Sequence, residues 1–230
     1  MSYTTRVEEE RWKKAQEGEL KVWLREPDDG DDWNQWWFEK FSNYSFLKEL
    51  DKKVESVYEV GCGPYAKNLD HVIKVLGYEP ERIILEDPLL EKYYNANKSI
   101  SRFSNNPKAI YISSPMEKIS FSELKIDKVD VLICNNVLDH VQDVDKCFEH
   151  IYSSLKTGGV FIFGQDLTSD EDIQKYPDAD EFHPIRLNEK HIKMLLNDDY
   201  EVLFEKLLSR EEGRNPDAHY ATILYAGLKK

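Results

Sequence analysis

Two glycines one residue apart close a short apolar run in "VYEVGCGPYA", residues 57–66. Where a strand feeds a helix, a backbone bare of side chains lets the chain turn sharply and lets a ligand approach closely. The run satisfies G-x-G-x-x-G/A with Ala66 in the last place, a pattern that holds nucleotide-like cofactors, and it lacks the Gly-Lys-Ser/Thr ending of a P-loop. Further on, "RIILEDPLL" supplies Glu86 and Asp87, strand-end carboxylates of the kind that accept hydrogen bonds from ribose hydroxyls. Two histidines could move a proton near neutral pH: His140 in "NNVLDHV" and His183 in "EFHPIR". Each also has a plainer role, His140 as a packing or capping residue and His183 as a loop residue set by Pro184. No Asp/Glu/His cluster has ligand spacing along the chain, so no metal is expected.

Such residues need a frame. From residue 54 the short runs "SVYEV", "RIILE", "AIYIS", "VDVLIC" and "GVFIFG" are β-branched or aromatic and bounded by turn residues. Helix-like stretches at 66–76, 89–100 and 143–156 separate most of them, and "SFSELKI" reads as a short helix or a loop. Strand and helix in alternation imply a parallel sheet covered on both faces. "NEKHIKMLLNDD" reads as a helix capped by Asn188, and "YEVLFEKLLS" and "HYATILYAGLKK" as two strands around "REEGRNPDA". A hairpin of this kind adds an antiparallel strand. Residues 1–50 hold all five tryptophans. Trp12, Gln16, Leu20 and Trp23 share one helical face, "PDDGDD" breaks that helix, and Trp33, Trp37, Phe41 and Tyr44 stripe a second. The expected fold is α/β: a Rossmann-like, doubly wound, mostly parallel seven-stranded sheet with an antiparallel C-terminal strand. A helical cap over 1–50 belongs to the same domain as 51–230. Gln16 interrupts the apolar stripe, and its amide needs a partner.

The chain has 230 residues, of which 40% are apolar, enough for a packed core. Lys and Arg number 31 against 44 Asp and Glu, so the net charge of −13 argues against binding to nucleic acid or to anionic membrane surfaces. Cys62, Cys134 and Cys147 match no zinc spacing and read as reduced thiols. The first residues carry no apolar signal core, and a cytoplasmic protein is expected.

The spacing from glycines to acidic pair suits NAD and S-adenosylmethionine alike. Other features separate them. A dinucleotide dehydrogenase needs a further substrate region, and little chain remains beyond the sheet. The C-terminal hairpin reverses a strand. Finally, "YEVGCG", "LEDP", "ICNNVLDHV" and "LKTGGVFIF" stand in order across residues 54–228. In these the chain resembles class I S-adenosylmethionine-dependent methyltransferases, of the small-molecule type related to the ubiquinone-biosynthesis methyltransferases. The resemblance implies S-adenosylmethionine as cofactor. Gly61, Cys62 and Gly63 would lie against its methionyl part and Glu59 near its ammonium, although a strand-end carboxylate can equally bond a helix N-terminus. Asp87, followed by Pro88, would hold the ribose, with Glu86 as competitor. Met116 and Glu117 would flank the adenine or simply start a helix. Asn135 would hold the methionyl group, and Gln16 would reach in from the cap or bond backbone. Tyr65 stands where many members carry a third glycine, which makes the turn bulkier.

The implied reaction is methyl transfer to a small polar acceptor, with a sugar hydroxyl in the lead. His140 or His183 would be the general base, and the Asp-rich "QDLTSDEDIQKYPDADEF" would bond hydroxyls. The aromatic cap would close over the acceptor or only cover the sheet. A nicotinamide-dependent oxidoreductase, a non-catalytic cofactor-binding protein and a methyltransferase acting on proteins stay open. The sequence says nothing of oligomeric state.

Overall fold

A computed structural model describes residues 4–25, 33–96, 103–175, 182–196 and 198–230. The strands β1 (Ser56–Val60), β2 (Arg82–Glu86), β3 (Ala109–Ile112), β4 (Val129–Asn135) and β5 (Leu155–Leu167) run parallel. Beyond them β6 (Tyr200–Ser209) and β7 (Ala221–Lys229) complete one sheet in the order β3-β2-β1-β4-β5-β7-β6. β7 is antiparallel to both its neighbours. The fold is the α/β, mostly parallel seven-stranded sheet expected from the sequence. The strand order reverses between β1 and β4, so a crevice opens at their C-terminal ends.

The central strands are apolar on both faces because helices cover both. On one face Val57, Ile83, Leu85, Val131 and Ile133 pack with Trp37, Phe41, Tyr44 and Leu69. Their neighbours in sequence, Tyr58, Ile84, Leu132 and Cys134, face the other way and pack with Cys147, Phe148 and Ile151. Each fully buried aliphatic side chain contributes about 1.5–3 kcal/mol.

The helices are α1 (Glu9–Arg25), α2 (Trp33–Lys40), α3 (Lys67–Leu76), α4 (Leu90–Asn95), α5 (Val144–Ser154), α6 (Asp170–Lys175) and α7 (Glu189–Leu196). Asn188 caps α7, accepting from the His191 N–H at 2.9 Å, and Asp143 caps α5, accepting from Lys146 at 3.2 Å. The Trp33–Tyr44 stripe is not one helix. α2 ends at Lys40, and Ser42–Glu49 forms a 3-10 segment kinked by left-handed Asn43 and Tyr44. The kink turns Tyr44 back into the core beside Trp37 and Phe41, so the apolar spacing is real although the helix is not. The Trp33 side chain, and residues 97–100 of the expected 89–100 helix, lie outside the described residues. "SFSELKI" forms turns, and β5 begins four residues before "GVFIFG" because α5 runs straight into it. All three cysteines are buried and unbridged. No described helix is long and apolar enough to cross a membrane.

At the N-terminal edge of the sheet Asp130 fastens three strands. Its Oδ2 accepts from the Glu55 and Ser56 N–H groups at 3.0 Å and the Ser56 hydroxyl at 2.9 Å, while Oδ1 accepts from Lys156 at 2.9 Å. Burial would raise its pKa, but Lys156, Ser56 and the Glu55 N–H hold it below the ordinary 3.8. A carboxyl lowered on folding adds stability above 3.8 that is lost as pH falls through the folded-state value. Asp130→Asn should therefore cost roughly 1–3 kcal/mol at neutral pH. In denaturant titrations the gap from wild type should close in acid. A gap independent of pH would show that the charge is not what holds the edge.

Candidate functional site

The chain leaves β1 through Gly61 and Gly63, both left-handed at φ +58° and +57°. A Cβ on Gly61 would stand 2.5 Å from Val137 Cγ2, so only glycine fits there. The end of β2 grips this turn. The Gly61 N–H donates to Glu86 Oε2 at 3.2 Å and the Gly63 N–H to Asp87 Oδ2 at 3.1 Å, while Asp87 Oδ1 accepts from Leu89 at 2.8 Å. Burial, reinforced by the Asp87 charge, pushes the Glu86 carboxyl well above its ordinary value. Burial also lifts Asp87, to about 6, against the Leu89 and Gly63 N–H groups. Tyr65 packs edge-on to Trp23 at 5.8 Å between centroids, and the left-handed position falls on Ala66 (φ +47°).

A cavity of about 410 Å³ opens from this turn across the switch point. Gly61, Cys62, Gly63, Asp87 and Pro88 form one wall, and Met116, Glu117 and Asn135 form another. Gln16, His140 and His183 also line it, so of the residues singled out from sequence Glu59 alone lies off the wall. The period of two explains that: Glu59 shares the face of Val57, under α3. Its carboxylate accepts from the Leu69 N–H at 2.9 Å and from Asn68 Nδ2 at 3.0 Å, the helix-terminus role.

Other side chains at the wall are partly engaged by the frame. Asn135 Nδ2 donates to Tyr44 Oη at 3.0 Å and to Asn68 Oδ1 at 3.2 Å. Glu117 Oε1 accepts from the Gln142 and Asp143 N–H groups at 2.6 and 3.1 Å. Trp12 Nε1 and Gln16 Nε2 both donate to the His140 carbonyl, at 3.0 and 3.1 Å. Gln16 thus finds its partner in backbone while remaining at the cavity.

The far end of the cavity is an imidazole cluster. The rings of His140 and His183 lie 4.6 Å apart, and His219 lies 6.4 Å beyond His183. His140 Nδ1 is 3.1 Å from the Phe182 carbonyl and 3.8 Å from Glu19. Asp139 lies 3.8 Å from His140 Nε2 and 3.9 Å from His183 Nε2, and Asp166 lies 3.8 Å from His219 Nε2. Burial alone would lower the His140 pKa; the Asp139 and Glu19 carboxylates outweigh it and raise it. Burial would raise Asp139, and the two imidazoles hold it below its ordinary value. Burial lifts Asp166 above its own, against His219 and the Thr222 hydroxyl. Sequence reasoning missed Glu19, Asp139, Asp166 and His219. Asp139 sits inside a motif already quoted, and Asp166 ends the apolar run of β5, where a carboxylate faces the crevice. Glu19 and His219 gave no local signal.

Glu86 Oε1, Asn135 Oδ1 and Asp166 Oδ2 are buried and have no hydrogen-bond partner among the described residues, and all three residues line this cavity. Buried polar atoms are normally bonded. Orphans lining one cavity fit a site whose ligand supplies the partners.

A family model described as "Methyltransferase domain" matches residues 33–207, a stretch that leaves α1 outside it. No curated protein matches the chain. Among solved structures, the N-methyltransferase NodS from Bradyrhizobium japonicum WM9, in complex with S-adenosyl-L-homocysteine, is similar at 14% identity and TM-score 0.61, over 92% of this chain and 97% of that one. The complex of the Haloferax volcanii Trm112 methyltransferase activator with a methyltransferase matches at 16% identity and TM-score 0.64, over 92% and 96%. The plantazolicin methyltransferase BpumL, in complex with a pentazolic desmethylPZN analog and S-adenosylhomocysteine, matches at 15% and 0.59, over 96% and 98%. At such identities the likeness is one of fold.

Glu86→Gln keeps the shape of the clasp and removes its charge. A carboxyl raised on folding contributes stability that is complete below its unfolded value of 4.5 and is lost as pH rises through the folded-state value. Thermal unfolding between about pH 5 and about pH 9 should therefore show wild type losing more stability than the glutamine variant. Parallel slopes would mean that Glu86 ionises normally.

Proposed function

The chain belongs to the methyltransferase-domain family, and we propose that it moves the methyl group of S-adenosylmethionine to a hydroxyl of a small polar molecule, such as a sugar. The observation that carries the reading is the set of orphaned buried oxygens. Glu86 stands beside the glycine turn and Asp166 beside the imidazoles, so an oxygen without a hydrogen-bond partner is on offer both to the cofactor and to the acceptor.

At the first end the bare backbone of Gly61, Cys62 and Gly63 suits the methionyl group. Asp87 with Pro88 suits the ribose, Met116 and Glu117 suit the adenine, and Asn135 Oδ1 offers an acceptor to the ammonium. When bound, the cofactor supplies a methyl already activated on a sulfonium, so the protein's work is alignment and exclusion of water. α1 contributes to both. Its Trp12 and Gln16 hold the His140 main chain, and Trp23 closes against Tyr65.

At the second end the imidazoles of His140, His183 and His219 are the groups able to take the proton of a hydroxyl. Asp139 and Asp166 stand beside them to stabilise the imidazolium. Among the described residues no Lys or Arg lines the cavity, which disfavours carboxylate or phosphate acceptors. The same carboxylates favour a second reading, an amine acceptor held as a cation by Glu19 and Asp166, for which a general base matters less.

Calorimetric titration with S-adenosylmethionine, and separately with NADH, tests the cofactor. Saturable binding of the first alone is expected. Binding of NADH alone would overturn the reading. Gly61→Ala, strained at positive φ and pressed on Val137, should weaken S-adenosylmethionine at least about tenfold. In an acceptor screen, His140→Gln should lower kcat for a hydroxyl acceptor by about 10²–10⁴ while leaving cofactor affinity nearly unchanged. An unchanged kcat would remove His140 from the chemistry.

A further inference from the structure

We propose that Asp139, His140 and His183 form a binding site for one divalent cation of the zinc, cobalt or manganese type at the acceptor end of the cavity. One ligand atom from each lies within 4.8 Å of the others. Asp139 presents Oδ1 at 3.8 Å from His140 Nε2 and Oδ2 at 3.9 Å from His183 Nε2. Around a tetrahedral ion with bonds of about 2.1 Å, donors stand about 3.4 Å apart, so small side-chain rotations close the set.

Two features make this more than a meeting of polar groups. Asp139 Oδ1 is buried and has no hydrogen-bond partner among the described residues, although its residue is only 5% exposed. A carboxylate oxygen left in that state is unfavourable unless a cation takes it up. His140 is already set up as a ligand: its Nδ1 faces the Phe182 carbonyl at 3.1 Å, which fixes the proton there and leaves the Nε2 lone pair toward Asp139. Glu19, 3.8 Å from Nδ1, adds a second outer acceptor.

The donor set decides the class of ion. Two imidazoles and one carboxylate favour borderline transition-type cations, whereas magnesium and calcium prefer all-oxygen sets. Three protein ligands leave coordination positions open, and these face the cavity that His140 and His183 line. An oxygen of the acceptor would complete the shell there, a step that rests on the proposed methyl-transfer reading. A hydroxyl so held loses its proton more readily. With the His140 and His183 lone pairs on the ion, the proton passes to His219, which stands outside the set beside Asp166.

Ion binding is tested with cobalt(II) alone, by calorimetry and visible absorption, on full-length protein stripped with a chelator. S-adenosylmethionine is titrated into the same samples. Wild type should take up about one cobalt per chain with an absorption band of nitrogen-ligated cobalt. Asp139→Asn and His183→Gln should each bind cobalt at least about tenfold more weakly and still bind S-adenosylmethionine, which shows them folded. Wild type that binds the cofactor but no cobalt would overturn the site, as would cobalt binding unchanged in both variants. Cobalt uptake without any binding of S-adenosylmethionine would instead overturn the functional reading and leave the ion site standing.

Discussion

The hydrogen bonds from the Gly61 and Gly63 N–H groups to the Glu86 and Asp87 carboxylates are the interaction on which the site depends. Two left-handed residues in a row of four are intrinsically loose, and nothing in β1 dictates where the chain goes after Val60. The acidic pair supplies that direction. It joins the ends of β1 and β2, whose paired backbones bring Val60 opposite Glu86, and so turns strand register into loop position. The clasp has a cost, since two adjacent buried carboxyls repel each other and lose hydration. Burial raises both, and the Asp87 charge adds to it at Glu86. Glu86 Oε1 has no hydrogen-bond partner among the described residues, an orphan that a cofactor can satisfy.

The two ends of the cavity solve the problem of buried acid differently. At the glycine turn the carboxyls have backbone N–H groups but no cation, and burial dominates. At the imidazole end Asp139 is held below its ordinary value because His140 and His183 stand beside it. Asp166, beside His219, is instead raised by burial, as the carboxyls of the glycine turn are.

Much of this was legible in the chain. The alternation of short apolar runs with helical stretches implied the sheet, because strands buried on both faces must be apolar throughout. The motifs located the wall of the cavity for the same reason, since strand ends in such a sheet all face one crevice. What was not legible depended on side-chain facing and on distance in sequence. Of the two roles open to Glu59, the geometry shows the helix-terminus one, since the period of two turns it under α3. The aromatic stripe through Tyr44 looked like one helix, since a left-handed kink preserves apolar burial while changing the backbone. His219 and Glu19 reach the imidazoles only because β7 inserts beside β5 and α1 crosses the cavity; neither placement is written in the spacing. The Asp139–His140–His183 cluster escaped the search for ligand spacing for the same reason. His183 joins the pair from a separate loop after β5.

α1 carries a consequence of its own. It lies before the stretch that matches the methyltransferase-domain model, yet Trp12, Gln16, Glu19 and Trp23 all line the cavity. The stretch that matches the family model therefore builds the strand-end floor, and a segment before it builds much of the cover. The segment is tied down by more than apolar contact. Thr4 pairs with Arg186, Arg6 with Asp143, and two side chains of α1 converge on the carbonyl of His140. Those ties join the cover to the two loops that carry His140 and His183, so the position of the cover and the geometry of the imidazoles are one variable. The first helix thus covers the imidazoles, and through Trp23 and Tyr65 it also reaches the glycine turn that the sheet sets.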